Sequence, residues 1–290
     1  MSQLILSKSA WIKDPAARDV HILDDRHAVR IARECRCGVP EVYRETLGLG
    51  IYPLRYIRNR EIISPEVQLQ LARSRVAVVG AGGLGGHVIL LLTRIGIGHL
   101  VVIDCDAFDE TNLNRQAFCT RHTIGSPKTH EAARQIMDIN PGVEVTSHQI
   151  SIDPANIESL LDGSHVVVDA LDNAHDRLLL EKGAKALHIP LVHGAIAGFD
   201  GQVMTVFPED RGLRLIYGDA AAARKDPETP EAVLGVPAPT PSMIATLQVM
   251  EVLKIIMKRG KLFRDTLVHV NLETGELNHF VFPSDTPAEG

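Results

Sequence analysis

The sequence predicts an α/β fold: a doubly wound, mostly parallel sheet with helices on both faces, extended by antiparallel strands. Three observations carry this. From Ser64 to Gly194, short β-branched apolar runs alternate with helical stretches. A glycine-rich loop, GAGGLGG at Gly80–Gly86, separates the first such run from the helix that follows it. After Gly194 the alternation stops, and strand-like runs are joined by turn residues instead.

Each element has a local reason. Ser64–Pro65 supplies an N-cap and a proline at the first helical position, opening a helix to about Ser74. Arg75–Val79 is a buried strand, and Leu84–Ile95 a helix ended by Gly96 and Gly98. HLVVID is the second strand. Ser126, as N-cap, and Pro127 open a helix to about Ile139. VEVTSHQI is the third strand, NIESLLD a short helix, HVVVDAL the fourth strand, His175–Leu187 a helix and PLVHGAI the fifth strand. Asp200–Gly201 turns the chain into GQVMTVFP, an antiparallel strand. Residues 208–240 are rich in Pro, Ala, Gly and charge and suit a long surface loop. PSMIATLQVMEVLKIIMKRG is an apolar helix ended at Gly260, and LVHVNLETGELNHFVF a hairpin turning at Thr274–Gly275. PSDTPAEG is expected to fray. Residues 1–50 have no clear period: His21–Cys35 suits a short charged helix, and CGVPEVYRETLGLGIYP reads as turns and linker. The first fifty residues therefore stand as an appendage, and 51–290 as the main domain.

Composition excludes several classes. Aromatic residues are only 4%, so the core rests on Val, Ile, Leu and Ala. A net charge of −6 argues against a general nucleic-acid binder. Val88–Leu92 is too short to span a membrane, and the N-terminus has no signal-peptide apolar region of adequate length, so a cytoplasmic protein is expected. The cysteines, Cys35, Cys37, Cys105 and Cys119, form no C-x-x-C pair, so a four-cysteine zinc site is not expected.

Gly80-x-Gly82-x-x-Gly85 between strand and helix, with Asp104 ending the next strand, fits the dinucleotide fingerprint of Rossmann-like folds. Gly80 permits the turn, Gly82 lets phosphate approach, Gly85 lets helix pack on strand, and Asp104 can take ribose hydroxyls. The fingerprint alone does not choose between NAD, FAD and ATP. The stretch DCDAFDETNLNRQ places Asn112, Asn114, Arg115 and Gln116 past the carboxyl end of the second strand, where ligands sit in this architecture. Arg115 suits phosphate oxygens, although a polar turn with an incidental arginine reads equally well. Lys128 falls in the first turn of its helix, where a cation opposes the helix dipole unless an anion is near. Asp172, just past the fourth strand, can hold Mg²⁺ or cap the next helix; Asp169 is nearer the strand interior and reads as a structural acid. Together these suit chemistry at a triphosphate, with electrostatic stabilisation of the α-phosphate as the main catalytic contribution.

The ordered series RYIRN, GAGGLGG, VVIDCD, TNLNRQ, GSPK, DALDN, GVPAPTPSMIATLQVMEVLKII and NLETGEL resembles the ThiF/MoeB/HesA family, the bacterial branch of the ubiquitin-activating enzymes, over about Leu54–Phe282. The resemblance implies ATP-dependent adenylation of the C-terminal glycine of a small ubiquitin-like sulfur carrier ending in Gly-Gly, in thiamine, molybdopterin or related sulfur metabolism. It implies a nucleotide-binding half at about 64–194 and a carrier-binding half with a crossover loop at about 195–283. It assigns nucleotide contacts to Gly80, Gly82, Gly83, Gly85, Asp104, Asp106, Asn112, Asn114, Gln116 and Asn173, and Mg²⁺ to Asp172. Arg115, Lys128 and Asp172 become catalytic, with Arg58 of RYIRN reaching across a homodimer interface; from spacing alone Arg58 reads as a surface residue. No cysteine follows Cys119, so neither the family's paired zinc cysteines nor a crossover-loop cysteine is present. Cys119 reads as a small buried residue, and sulfur is expected from another protein, a sulfurtransferase or cysteine desulfurase. A tRNA base or small carboxylate as substrate, an NAD-binding oxidoreductase and a non-catalytic scaffold are the competing readings.

Overall fold

The computed structural model describes residues 1–218 and 230–283. After an N-terminal unit, the chain builds the expected alternation. Helix α4 (Pro65–Ala72) is capped by the Ser64 hydroxyl and leads to β4 (Arg75–Val79), α5 (Gly83–Ile95), β5 (His99–Ile103), α6 (Lys128–Ile139) and β6 (Glu144–His148). Then come α7 (Ile157–Leu161), β7 (Val166–Asp169), α8 (Ala174–Ala186), β8 (Leu191–Ala197) and β9 (Asp200–Val206). The short helices α9 (Arg214–Tyr217) and α10 (Pro230–Leu234), the long α11 (Pro239–Met257) and the hairpin β10 (Thr266–Asn271)–β11 (Glu276–Val281) complete it.

These strands form one eight-stranded sheet in the order β11-β10-β9-β8-β7-β4-β5-β6. The run from β8 to β6 is parallel, while β9, β10 and β11 add on antiparallel. Alternation along each strand sorts side chains onto two buried faces. Val76, Val78, Leu100, Val102, Val166 and Val168 share one core with α5, α6 and α11. Ala77, Val79, Val101, Ile103 and Val167 share the other with α7 and α8. Helix α11 has a span's length and a mean hydropathy of 1.2, and its burial accounts for that composition: Ile244, Ala245, Val249 and Val252 pack into the first core.

The first fifty residues are more ordered than their sequence suggests. They hold α1 (Ser2–Lys8), β1 (Ala10–Lys13), β2 (Asp19–Leu23), α2 (Asp25–Cys35) and α3 (Val39–Gly48), with β3 (Tyr52–Pro53) closing a three-stranded sheet. The expected helix over His21–Cys35 begins only at Asp25, capped by Asp24, because His21 lies in β2. The stretch read as turns and linker is largely α3: Gly38 is its N-cap residue and Pro40 sits in its first turn, positions where glycine and proline start a helix. Likewise Pro127, not Ser126, precedes α6. The loop read over 208–240 contains α9 and α10, and its residues 219–229 lie outside the described residues, as does most of the tail expected to fray.

The N-terminal unit has its own core of Ile5, Leu23, Ala28, Ile31, Val42, Tyr43, Ile51 and Tyr56. It is keyed to the main domain by close packing and one buried amide. A Cβ on Gly142 would come within 2.1 Å of Tyr43 Cδ2, and one on Gly96 within 2.5 Å of the Tyr56 hydroxyl. Asn140, fully buried, donates to the Tyr56 hydroxyl and to the Thr93 carbonyl, both at 2.8 Å, and accepts from Gly142 N at 3.0 Å. Asn140→Ala leaves these groups buried without partners. It is expected to lower unfolding free energy by about 3 kcal/mol, read by urea denaturation.

Candidate active site

The sheet order puts β4 between β5 and β7, so the chain leaves β4 toward one side and later returns on the other. The crevice at the carboxyl ends of these strands is the expected ligand position. A cavity of about 670 Å³ opens there. Of the residues expected at a nucleotide site, Gly80, Gly82, Gly83, Asp104, Asp106, Asn112, Arg115, Gln116, Lys128 and Asp172 line it.

The glycines act by lacking a side chain. Gly80 has φ 95°, and a Cβ there would lie 2.4 Å from the Ala170 carbonyl oxygen. Gly85 is not in the wall; a Cβ on it would lie 1.8 Å from the Gly80 carbonyl oxygen, so it is the contact that lets α5 approach the strand. A Cβ on Gly83 would sit 3.5 Å from Arg115 Cγ, Cδ and Nε, so the Arg115 stem lies over the loop. No side chain caps α5, whose first N–H groups therefore suit an anion.

The acids do structural work first. Asp104 accepts from Ala81 N at 2.7 Å through one oxygen and from Asp106 N at 2.8 Å through the other, joining the glycine loop to the turn after β5. Burial raises its pKa above the ordinary carboxylate value, against the pull of Lys128 and these two amides. Asp106 supplies the anion that the Lys128 position calls for: its carboxylate lies 2.8 Å from the buried Lys128 ammonium, which holds the Asp106 pKa down. Asn112 is buried and its Oδ1 accepts from Asp109 N at 3.2 Å, closing a capping box over Glu110–Asn112. Gln116 is buried too, and its Oε1 has no hydrogen-bond partner. An orphaned acceptor in a cavity wall is a place for a ligand donor.

Asp172 is exposed at the cavity, and the residue that caps α8 is Asn173 instead. Asn173 accepts from Asp176 N at 2.9 Å and donates to Asp176 Oδ2 at 2.9 Å and Asp172 Oδ1 at 3.2 Å. It thus orients the two carboxylates at the wall while lying outside it. Asn114 also lies outside, with Oδ1 accepting from Arg115 and Nδ2 donating to Val236 O. Arg58 is exposed beyond the turn at Leu54–Tyr56, away from this cavity. Sequence reasoning missed Cys105, Asp109, Thr111, Ser151, Ile152 and Asp176 in the wall. Asp109 and Thr111 stood inside the polar stretch already singled out. Ser151 and Ile152 reach the site through the parallel pairing of β6 with β5 and carry no local signal.

Asp169, fully buried, anchors the floor. It accepts from Leu171 N at 3.0 Å, and its other oxygen is 2.7 Å from His193 Nδ1. The Tyr217 hydroxyl receives Arg177 Nη1 at 2.9 Å and lies 3.2 Å from His193 Nε2. Burial favours the neutral imidazole, against the pull of Asp169; in that form the Nδ1 proton faces the carboxylate and Nε2 accepts from the Tyr217 hydroxyl.

A glycine cradle, an open helix N-terminus, two cations and paired carboxylates around one crevice define a nucleotide-binding α/β enzyme. The chain belongs to the ThiF family, which it matches over residues 56–287. It is 37% identical to a SAMP-activating enzyme E1 of Haloferax volcanii, over 74% of this chain and 80% of the relative. It is 34% identical to the molybdopterin-synthase adenylyltransferase of Escherichia coli, over 72% and 84% of the two chains. Among solved structures, PaaA superimposes with TM-score 0.65 at 21% identity, covering 95% of this chain and 99% of that one. E. coli MccB crystallised with ATP gives TM-score 0.65 at 21% identity, covering 81% and 72%. Both likenesses establish the fold.

Two outcomes are expected. Gly85→Ala drives a methyl into the Gly80 carbonyl and costs about 2–3 kcal/mol, whereas Gly86→Ala, whose Cβ finds nothing nearer than 3.5 Å, changes stability by less than about 1 kcal/mol in the same urea titration. Burial depresses the His193 pKa below its ordinary 6.5, so the unfolded chain takes up this proton first as the medium is acidified. The stability it contributes is complete above pH 6.5 and is lost below it, down to the folded pKa, at up to about 1.4 kcal/mol per pH unit. His193→Gln should flatten that slope in denaturation curves taken from pH 7.5 to 5.

Proposed function

We propose that the enzyme adenylates the C-terminal glycine of a small ubiquitin-like sulfur carrier ending in Gly-Gly, consuming ATP and releasing pyrophosphate. One observation carries the reading: Arg115, Lys128, Asp172 and the uncapped start of α5 face one cavity at the glycine loop. The names of the relatives, which are a SAMP-activating enzyme and adenylyltransferases, support the substrate class. The cavity fits ATP by its glycine cradle and by the orphaned Gln116 acceptor.

In this reading the carrier's terminal carboxylate oxygen attacks the α-phosphorus, and the bond from that phosphorus to the bridging oxygen breaks. The electron pair leaves with pyrophosphate, and the products are acyl-adenylate and pyrophosphate. Lys128 and Arg115 stabilise the charge that gathers on the phosphate oxygens, and the α5 amides hold the polyphosphate. Asp172, with Asp176 beside it, is the candidate Mg²⁺ ligand. When bound there, Mg²⁺ supplies further neutralisation of the phosphate oxygens. Asp104 steadies the glycine loop and retains lone pairs for a ribose hydroxyl. Arg58, exposed on its turn, is available to the ATP of a second copy in a homodimer. Because no cysteine follows Cys119, the acyl-adenylate passes to an external sulfur donor, a sulfurtransferase or a cysteine desulfurase, without a thioester on this chain; no structural zinc is needed.

The test is ATP–pyrophosphate exchange with a carrier ending in Gly-Gly. Wild-type enzyme should exchange only with the intact carrier tail, and Arg115→Ala and Asp172→Ala should each lower the rate about 10²–10³-fold. Exchange that survives both substitutions refutes the assignment. Exchange driven by a small carboxylate or a tRNA and not by any carrier moves the substrate class.

A further inference from the structure

The residues that lead from α10 into the first turn of α11 form a strap, 235–242, tied on both sides. On one side Gly198 N donates to Gly235 O at 2.8 Å, and the Thr240 hydroxyl donates to Gly198 O at 2.7 Å, fixing the strap to the β8–β9 turn. On the other, Asn114 Nδ2 donates to Val236 O at 3.1 Å. His87 Nε2 lies 3.2 Å from the Arg115 carbonyl oxygen and 3.3 Å from the Ser242 hydroxyl. That hydroxyl spends its proton on Ala238 O at 3.1 Å, so it accepts from His87, whose proton is therefore on Nε2.

The same Asn114 holds the Arg115 guanidinium. Arg115 Nη1 donates to Asn114 Oδ1 at 2.8 Å and to the Thr111 carbonyl at 3.1 Å. One amide therefore joins the strap, through its donor end, to the arginine over the glycine loop, through its acceptor end. Resting on the adenylation reading above, we propose that Asn114 is a positioning residue, not a nucleotide ligand: it couples the placement of the strap to the placement of Arg115 on the phosphates. A displacement of Val236 would reach the guanidinium through this one amide. His87 keeps the two segments in register by bonding the Arg115 backbone and Ser242 together.

Two variants of this exposed residue separate the ends of the amide. Asn114→Ala removes both links, whereas Asn114→Asp keeps an acceptor for Arg115 and loses the donor to Val236. Both are expected to lower kcat of carrier-dependent pyrophosphate exchange about tenfold, with KM for ATP unchanged within about twofold. Wild-type kcat in Asn114→Asp overturns the coupling, and a rise in KM for ATP with kcat unchanged makes Asn114 a direct ligand. Hydrogen exchange supplies a readout without turnover. Amides of the strap and of residues 111–116 should exchange faster together in both variants, and unchanged exchange in the strap overturns the inference. If wild-type enzyme adenylates no carrier, the adenylation reading fails, while the exchange experiment still decides the link.

Discussion

The carboxylate of Asp104 is the interaction on which the site depends. It stands at the end of β5 and accepts one backbone N–H from the glycine loop and one from the turn that leads to Asp106. Parallel strands bring two loops to the same edge of the sheet, yet strand pairing says nothing about how the loops sit against each other. Asp104 supplies that relation. Its half-buried position makes the charge costly, and Lys128 together with the two amides offsets part of that cost. Once the loops are fixed, Asp106 lies where it can hold Lys128, and α5 begins where its open amides face the cavity.

A second regularity follows. Several polar groups in the wall are engaged by the protein itself: Lys128 by Asp106, Arg115 by Thr111 and Asn114, Asn112 by Asp109. The wall residues proposed to meet the ligand are thus held in place by the protein itself before any ligand binds. A long side chain fixed in one rotamer before substrate arrives loses less entropy when it binds. Gln116 differs, with its buried Oε1 waiting for a donor.

The parts legible in the sequence were those with local causes. Val76–Val79, Leu100–Ile103 and Val166–Val168 are apolar on both faces, so buried parallel strands were plain, and the glycine spacing between strand and helix located the crevice. The N-terminal unit was not legible, because Gly38 and Pro40 look like breakers until one sees that they stand at a helix start. Its docking uses polar contacts between distant positions, such as Asn140 to the Tyr56 hydroxyl and Arg55 to the Ile139 carbonyl, each 84 residues apart, and no window of sequence shows such a contact. The choice of the α8 cap was open for a similar reason. Either residue suits an N-cap, and only the backbone, extended at Asn173 with φ −136° and ψ 145°, selects which one does the capping. Asp172 is left free of that duty and open to the cavity.

Charge gives the last step. Five aspartates, Asp104, Asp106, Asp109, Asp172 and Asp176, line the cavity against two cations, Arg115 and Lys128. A nucleoside triphosphate adds more negative charge, and like charges about 4 Å apart near a protein surface repel by about 4 kcal/mol. The open N-terminus of α5 offsets only part of this, since it amounts to about half a positive charge. The cavity of one chain is therefore short of positive charge for the substrate proposed. Two sources fit what the structure provides. In the proposed reading Asp172 and Asp176, which accept from the same Asn173 amide, would take a divalent cation, which would convert the most acidic corner of the wall into an attractive one. In the same reading Arg58, exposed and outside its own cavity wall, would serve the cavity of another copy. Under this reading the acidic wall is not a defect of the site: it makes productive nucleotide binding conditional on metal and on assembly.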